Sequence, residues 1–357
     1  MDKIKVAIIG AGNISNSHIG AYRKLDNVDI YAICDINEER LNATADKYGI
    51  KRRYTDLDKM LSELPELDAA SVCVWNCSHA ECAIKALNAG LNVICEKPMA
   101  YDASLAQEMK DAADRNGKLL MIGFCMRFSS SAKIARDFIE KDYLGNIYFT
   151  KAQYVRRHGN PGGWFCDKER SGGGPIIDLG VHVIDFTRYL MGNPKPLSVY
   201  AVSFDNLGNR EHLKNGVEWV AADHVDGEKS DVEDFAAAYI RYDNGAVTNL
   251  ETSYDFNGKE SHKNQLFGTK AGMDISENGD VKLFGTYNDY LADINIDTKN
   301  YKFASSEFDG EIAHFVDCIV NGTKCMAPAE DGIVIMKILD AIYESAKTGH
   351  EVIIKGL

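Results

Sequence analysis

The sequence predicts an α/β protein in which an N-terminal doubly wound parallel sheet is followed by an α+β domain with a large, mainly antiparallel open sheet. Two observations carry this prediction. In the first third, short continuous apolar runs alternate with segments of helical period, as in strands covered by helices on both faces. Beyond about residue 124 the runs become alternating or aromatic-rich and are joined by short polar turns, as in strands with one face on a core. The 357 residues are enough for two domains with a sizeable core. We place these domains at 1–123 and 124–357.

The elements follow in order. KVAIIG (5–10) is a strand and ISNSHIGAYRKL a helix; DIYAICD (29–35) is a second strand, and the helix in NEERLNATADKYG stops at Gly49. AASVCVW (69–75), the helix HAECAIKALNAG, LNVICEK, the helix SLAQEMKDAADRNG and KLLMIGF (118–124) complete the first domain. A helix in SSSAKIARDFIEKD opens the second. The strands NIYFTKAQYVRR, LSVYAVSF, DFAAAYIRY, AVTNLETSY, KNQLFG and VKLFG follow, with turns at DNG (243–245) and ENGD (277–280). The polar stretch 205–233 reads as a long loop. A last helix, PAEDGIVIMKILDAIYESAKTG, carries Pro328 at its start and Gly349 past its end.

Composition narrows the partners. A net charge of −13 argues against nucleic acid or an anionic membrane, both of which require a basic patch. No apolar run approaches the roughly 18–20 residues of a membrane span, and the short run in MDKIKVAIIGAG reads as a strand rather than a signal peptide. Nine cysteines, an odd number, fit free thiols in a reducing cytoplasm. Cys73, Cys77, His79 and Cys82 lack the paired spacing of a zinc knuckle, and no metal is expected.

GAGNIS (10–15) follows the first strand and opens a helix, reading G-x-G-x-x-S. Gly10 permits the tight turn, Gly12 lets backbone approach a pyrophosphate whose charge the helix N-terminus favours, Asn13 and Ile14 at that N-terminus are expected cofactor contacts, and Ser15 is small enough for close packing. Asp35 ends the second strand, where a carboxylate would hold the ribose hydroxyls of NAD and repel a 2′-phosphate. Arg40 lies within reach of such a phosphate. Together these residues predict a Rossmann domain that binds NAD.

In SGGGPIIDLGVHVIDFTRYLMG (171–192), Ile176, Leu179, Val183, Phe186 and Leu190 form an apolar helical stripe. Asp178, His182, Asp185 and Tyr189 form a polar one beside it, so that Asp178 and His182 are neighbours. Entry through three glycines lets backbone come close to something. A histidine can take the proton of a secondary hydroxyl as hydride leaves its carbon, an aspartate can orient that histidine, and a lysine can stabilise the alkoxide.

GAGNIS, Asp35, VWNCSHAECAIKALNAGLNVICEKPMA, GFCMRF and GGGPIIDLGVHVIDFTRYLMG, in this order, resemble the Gfo/Idh/MocA oxidoreductases along essentially the whole chain. The resemblance implies that Lys97 of E-K-P and Asp178 and His182 of D-x-G-x-H are catalytic. It further implies that Glu96 lies near the nicotinamide, that Asn76 and His79 contribute to the cofactor pocket, that the Lys97–Pro98 bond is cis, and that the protein is a homo-oligomer, dimer or tetramer. Val74-Trp75 replaces the family's Thr-Pro, and Cys125 and Met126 stand before the retained Arg127.

YVRRHGNPGGWFCDKERSGGG (154–174) brings Arg156, Arg157 and His158 together with Trp164-Phe165, side chains that can hydrogen-bond and stack on a sugar. It is similar to the corresponding segment of family members that act on pyranoses and glycosides, some at the 3-hydroxyl of a glucoside. Arg127, Arg156, His158 and Trp164, with the catalytic group, are therefore the expected substrate contacts. The expected activity is NAD(H)-dependent transfer of hydride to or from a ring hydroxyl of a sugar, glycoside or cyclitol. The alternatives are an NAD-recycling redox-elimination glycosidase and a non-catalytic sugar or dinucleotide sensor.

Overall fold

The computed structural model describes residues 3–356 except 209, 211, 215, 216, 218, 299, 300 and 302. By internal contacts the chain divides into two units: Met1–Cys125 with Ser305–Ile333, and Met126–Ala304 with Val334–Leu357.

In the first unit the apolar runs become strands β1 (Ile4–Ile9), β2 (Val28–Cys34), β3 (Arg52–Tyr54), β4 (Ala69–Val72), β5 (Asn92–Cys95) and β6 (Leu120–Ile122). Helices α1 (Asn13–Tyr22), α2 (Glu38–Tyr48), α3 (Leu57–Glu63), α4 (His79–Asn88) and α5 (Ala103–Asn116) connect them. The strand order is β3-β2-β1-β4-β5-β6 and every pair is parallel. The order reverses between β1 and β4, and ligands of open α/β sheets bind at the carboxyl ends of the strands beside such a switch. The helix stops are local: Asn37 and Asp102 accept backbone N–H groups at the starts of α2 and α5, and Gly49 and Gly117 end them with positive φ.

The second unit opens with α6 (Ser130–Glu140), β7 (Ile147–Val155) and the short α7 (Lys168–Ser171). A π-helical turn at Ile176–Gly180 then leads into α8 (Val181–Leu190). β8 (Pro196–Phe204), β9 (Phe235–Tyr242), β10 (Val247–Ser253), β11 (Ser261–Gly268), β12 (Gly272–Ser276), β13 (Val281–Tyr287) and β14 (Tyr290–Asn295) follow. The last elements are α9 (Glu307–Asn321), which belongs to the first unit and packs along α1, then α10 (Ala329–Thr348) and β15 (Val352–Ile353).

The nine strands run β14-β13-β12-β11-β7-β10-β9-β8-β15, and every neighbouring pair except β7–β10 is antiparallel. α6 and α8 cover one face, with Ala132, Ala135, Phe186 and Leu190 packed on Leu266, Met273, Ile275 and Val281. On the opposite face Tyr200 pairs with Tyr239 and Phe204 with Phe235 across β8 and β9. The described residues of 205–233 form no helix or strand, in keeping with their polar composition; 209, 211, 215, 216 and 218 of that stretch lie outside the described residues.

Candidate active site

Gly10 has φ +95°, and a side chain there would put its Cβ 2.3 Å from the carbonyl oxygen of Cys73, so only glycine fits the turn between β1 and α1. Gly12 is the N-cap of α1. It offers no side-chain cap, no acidic residue occupies the first turn, and a Cβ on Gly12 would meet nothing within 4 Å. This open, uncapped helix start is suited to a pyrophosphate. Ser15, in the place of the third glycine, is fully buried and returns its hydroxyl to the Gly12 carbonyl at 2.6 Å. Asn13 and Ile14 are the first residues of the helix.

Asp35 lies at the end of β2, buried, where it accepts the amide of Ala11 at 2.7 Å and that of Asn37 at 2.8 Å. Arg40 adds Nε at 3.2 Å and Nη2 at 2.9 Å. The carboxylate is thus fixed beside the glycine turn, and Arg40 occupies its outer side. The charge a 2′-phosphate could seek is committed to Asp35, so the pair fits the unphosphorylated ribose of NAD.

At the end of β5 the Lys97–Pro98 bond is cis, as the resemblance implies. Lys97 is half-buried, and its amide donates to Glu96 Oε2 at 3.2 Å. Glu96 itself is buried, with Oε1 2.8 Å from His18 Nε2. Burial works against its charge, but the hydrogen bond and charge of His18 prevail and hold Glu96 below the usual glutamate range. His79, fully enclosed, is strung between the carbonyls of Pro98 (Nδ1, 2.7 Å) and Val74 (Nε2, 3.1 Å). Burial lowers its pKa, against the two carbonyls that favour the charged ring, and the side chain ties the loop after β4 to the turn that carries Lys97. Asn76, also buried, opens the short 3-10 turn before α4.

In the second unit Asp178 sits within the π turn, and His182 lies four residues on in the first turn of α8; both are half-buried. Tyr254, buried at the end of β10, donates its hydroxyl to Asp178 Oδ2 at 3.1 Å. Arg156 reaches the Tyr154 hydroxyl at 3.2 Å and the Gly159 carbonyl at 3.2 Å, and the charge of Asp178 acts on its guanidinium. His158 Nδ1 is 2.9 Å from Asp255 Oδ1. Trp164 is in a 3-10 turn with its ring 3.9 Å from that of Phe165. Two of the three glycines approach protein rather than solvent: a Cβ on Gly173 would strike the Tyr343 hydroxyl, and one on Gly174 the Glu233 carbonyl at 2.5 Å. The Glu233 side chain then accepts the amides of Gly174 and Ile176 and the Tyr343 hydroxyl at 3.0–3.1 Å, capping the entry to the Asp178 turn.

Two expectations change. Arg127, expected at the substrate, is almost fully buried, with Nε and Nη2 on the two oxygens of Asp185 at 2.9 and 2.5 Å. This bidentate pair also removes Asp185 from the polar stripe, because its oxygens face inward to Arg127. In addition, the helix carrying the stripe begins as a wide turn rather than regular α-helix; such turns concentrate at functional sites. Tyr254, Glu233 and His18 were missed because each meets its partner across 57 to 78 residues of chain, with no local pattern to announce it.

Residues 4–124 match the oxidoreductase family with an NAD-binding Rossmann fold, and residues 133–274 match the GFO/IDH/MocA C-terminal domain. D-glucoside 3-dehydrogenase of Escherichia coli is 34% identical over 98% of this chain and 97% of its own. The chain belongs to the Gfo/Idh/MocA oxidoreductase family. Myo-inositol 2-dehydrogenase of Thermotoga maritima is 26% identical over 75% of the chain and 73% of its own. In fold, this family member is similar to levoglucosan dehydrogenase in complex with NADH, with a TM-score of 0.86 at 23% identity over the whole of both chains. It is an NAD-dependent oxidoreductase, and the uncapped start of α1 with the Asp35–Arg40 pair suits that cofactor.

Proposed function

We propose that the enzyme moves a hydride between nicotinamide and a ring secondary hydroxyl of a sugar, glycoside or cyclitol, such as the 3-position of a glucoside. The observation that carries this reading is the placement of Asp178: half-buried on a glycine-entered turn, held by Tyr254, and one helical turn before His182. NAD, when bound, supplies the hydride acceptor. His182 takes the hydroxyl proton, Asp178 orients the imidazole and stabilises its charged form, and Lys97 stabilises the developing alkoxide.

Residues 1–123 bind NAD through Gly10, Gly12, Asn13, Ile14, Asp35, Arg40, Asn76, His79, Glu96 and Lys97. Residues 124–357, apart from the segment Ser305–Ile333 that folds with the first unit, bind substrate and associate into a homo-oligomer, with Arg156, His158 and Trp164 as the sugar-facing set and Arg127 holding α8 through Asp185. The nine free thiols suit a reducing cytoplasm. Among the described residues no helix is long and apolar enough to cross a membrane.

The test is an NADH-absorbance screen of glucose, simple glycosides and inositols, with NAD and NADP in parallel. NAD reduction with one of these compounds is the expected result; reduction with none of them would overturn the reading.

A further inference from the structure

Behind the E-K-P turn, wholly within the first unit, lies a group of ionisable side chains that the proposed chemistry does not use. Glu311, on α9, is fully buried, and neither of its carboxyl oxygens has a hydrogen-bond partner among the described residues. A Glu311 oxygen, a Glu96 oxygen and a His18 ring nitrogen lie within 4.8 Å of one another. From α1, His18 faces the group and sets Nδ1 3.2 Å from the Ser71 hydroxyl, which the Tyr22 hydroxyl meets at 2.9 Å. Cys73 lies beyond β4, and Lys97 beyond β5. Glu307, one turn back on α9, takes the Cys125 thiol at 3.5 Å.

The charges do not balance if every acid here is ionised. Glu96, Glu307 and Glu311 would carry three negative charges against the imidazolium of His18 and the more exposed Lys97. An ionised carboxylate with no donor, taken fully out of water, is among the costliest groups a fold can bury, and it takes up a proton instead. A cation between the three ligand atoms is the other remedy. However, His18 Nε2 and Glu96 Oε1 are 2.8 Å apart, a charge-assisted hydrogen bond with the proton between them and no room for an ion.

We propose that Glu311 is kept as a neutral carboxylic acid and thereby positions Glu96. With Glu311 uncharged, the His18 imidazolium serves Glu96 alone, and the Glu96 carboxylate keeps its second oxygen on the Lys97 amide. An ionised Glu311 would compete for the same imidazolium and draw it from the strand end. Burial first, then the charges of Glu96 and Glu307, push the Glu311 carboxyl well above the usual glutamate range, in accord with this geometry. The consequence for catalysis rests on reading Glu96 as the nicotinamide-side group.

Three measurements on the full-length protein test the proposal. Infrared difference spectra of wild type against Glu311→Gln should show a protonated-carboxyl C=O band in wild type that the variant lacks. A folded-state carboxyl raised above its unfolded value loses stability as pH rises, so the melting temperature of Glu311→Gln should gain on wild type from pH 6 to pH 9. Glu311→Ala, which leaves a cavity where the buried side chain packs beside the His18–Glu96 pair, should raise KM for NAD about tenfold with a smaller change in kcat, and Glu311→Gln, neutral and of the same shape, should recover most of it. Absence of the band, one equivalent of metal in the purified protein, or a Gln variant as impaired as Ala would each overturn the proposal. If Glu311→Ala leaves KM for NAD unchanged, Glu96→Ala assigns the failure. A raised KM there overturns the positioning role of Glu311, whereas an unchanged KM overturns the reading of Glu96 itself and with it the link to NAD.

Discussion

Asp35 accepts four donors, two from backbone and two from Arg40, and on the proposed reading the balance of that arrangement governs the choice of dinucleotide. Removing the carboxylate both frees the guanidinium and deletes the repulsion toward a 2′-phosphate. Asp35→Ser should therefore shift the ratio of kcat/KM from NAD toward NADP by at least about tenfold, or about 1.4 kcal/mol; an unchanged ratio in parallel NAD and NADP assays would remove the carboxylate from the ribose site. The His18–Glu96 pair gives a pH signature. Burial opposes the His18 charge, but Cys73 and Glu96 raise its pKa, while Glu96 is lowered. The carboxylate's contribution is lost as pH falls through its depressed pKa, and the imidazolium's as pH rises through its elevated one. His18→Gln should thus lower the melting temperature most between about pH 4.3 and about pH 6.5, with the deficit shrinking on the alkaline side. At this scale the glycine turn and the strand-end acid were legible because both are local patterns. His18 was not, since a histidine on the buried side of a helix reads as ordinary core until Glu96 is seen beside it.

Among elements, the turn that carries Asp178 depends on a residue more than fifty positions away. Glu233 supplies acceptors for the amides of Gly174 and Ile176 and is itself buried. Glu233→Ala strands those amides, which costs about 1–3 kcal/mol. The expected outcome is a lower melting temperature together with a kcat loss larger than any change in KM for NAD; a variant with wild-type kcat would show that the π turn holds Asp178 without its cap. The apolar parallel strands β1, β2, β4, β5 and β6 were readable as apolar runs, and α1, α2, α4 and α5 by helical period; the short α3 was not read. β3 (Arg-Arg-Tyr) was not, being three residues long and polar, and β14 was not because its side chains are mostly exposed. α9 escaped because its core face mixes Glu311 and Gly310 with Ile312, Phe315 and Val316, a mixture that blurs the apolar stripe.

For the whole molecule, the exposed aromatic side chains of β8 and β9 set the expectation for association. Tyr200 and Tyr239 are cross-strand neighbours, 47% and 52% exposed, with Phe204 and Phe235 beside them. An aromatic face of this kind is unusual for a solitary surface. The double variant Tyr200→Arg/Tyr239→Arg should lower the mass measured by light scattering from an oligomer to one chain, and an unchanged mass would place the interface elsewhere. The central proposal is the catalytic role of Lys97, of Asp178 and of His182 in NAD-dependent oxidation of a ring hydroxyl. Steady-state turnover of Lys97→Met and His182→Ala on a reactive glycoside, with NAD binding followed in parallel, tests it most directly. The account predicts a fall of about 10²–10⁴-fold in turnover with NAD still bound; wild-type turnover in both variants would contradict it.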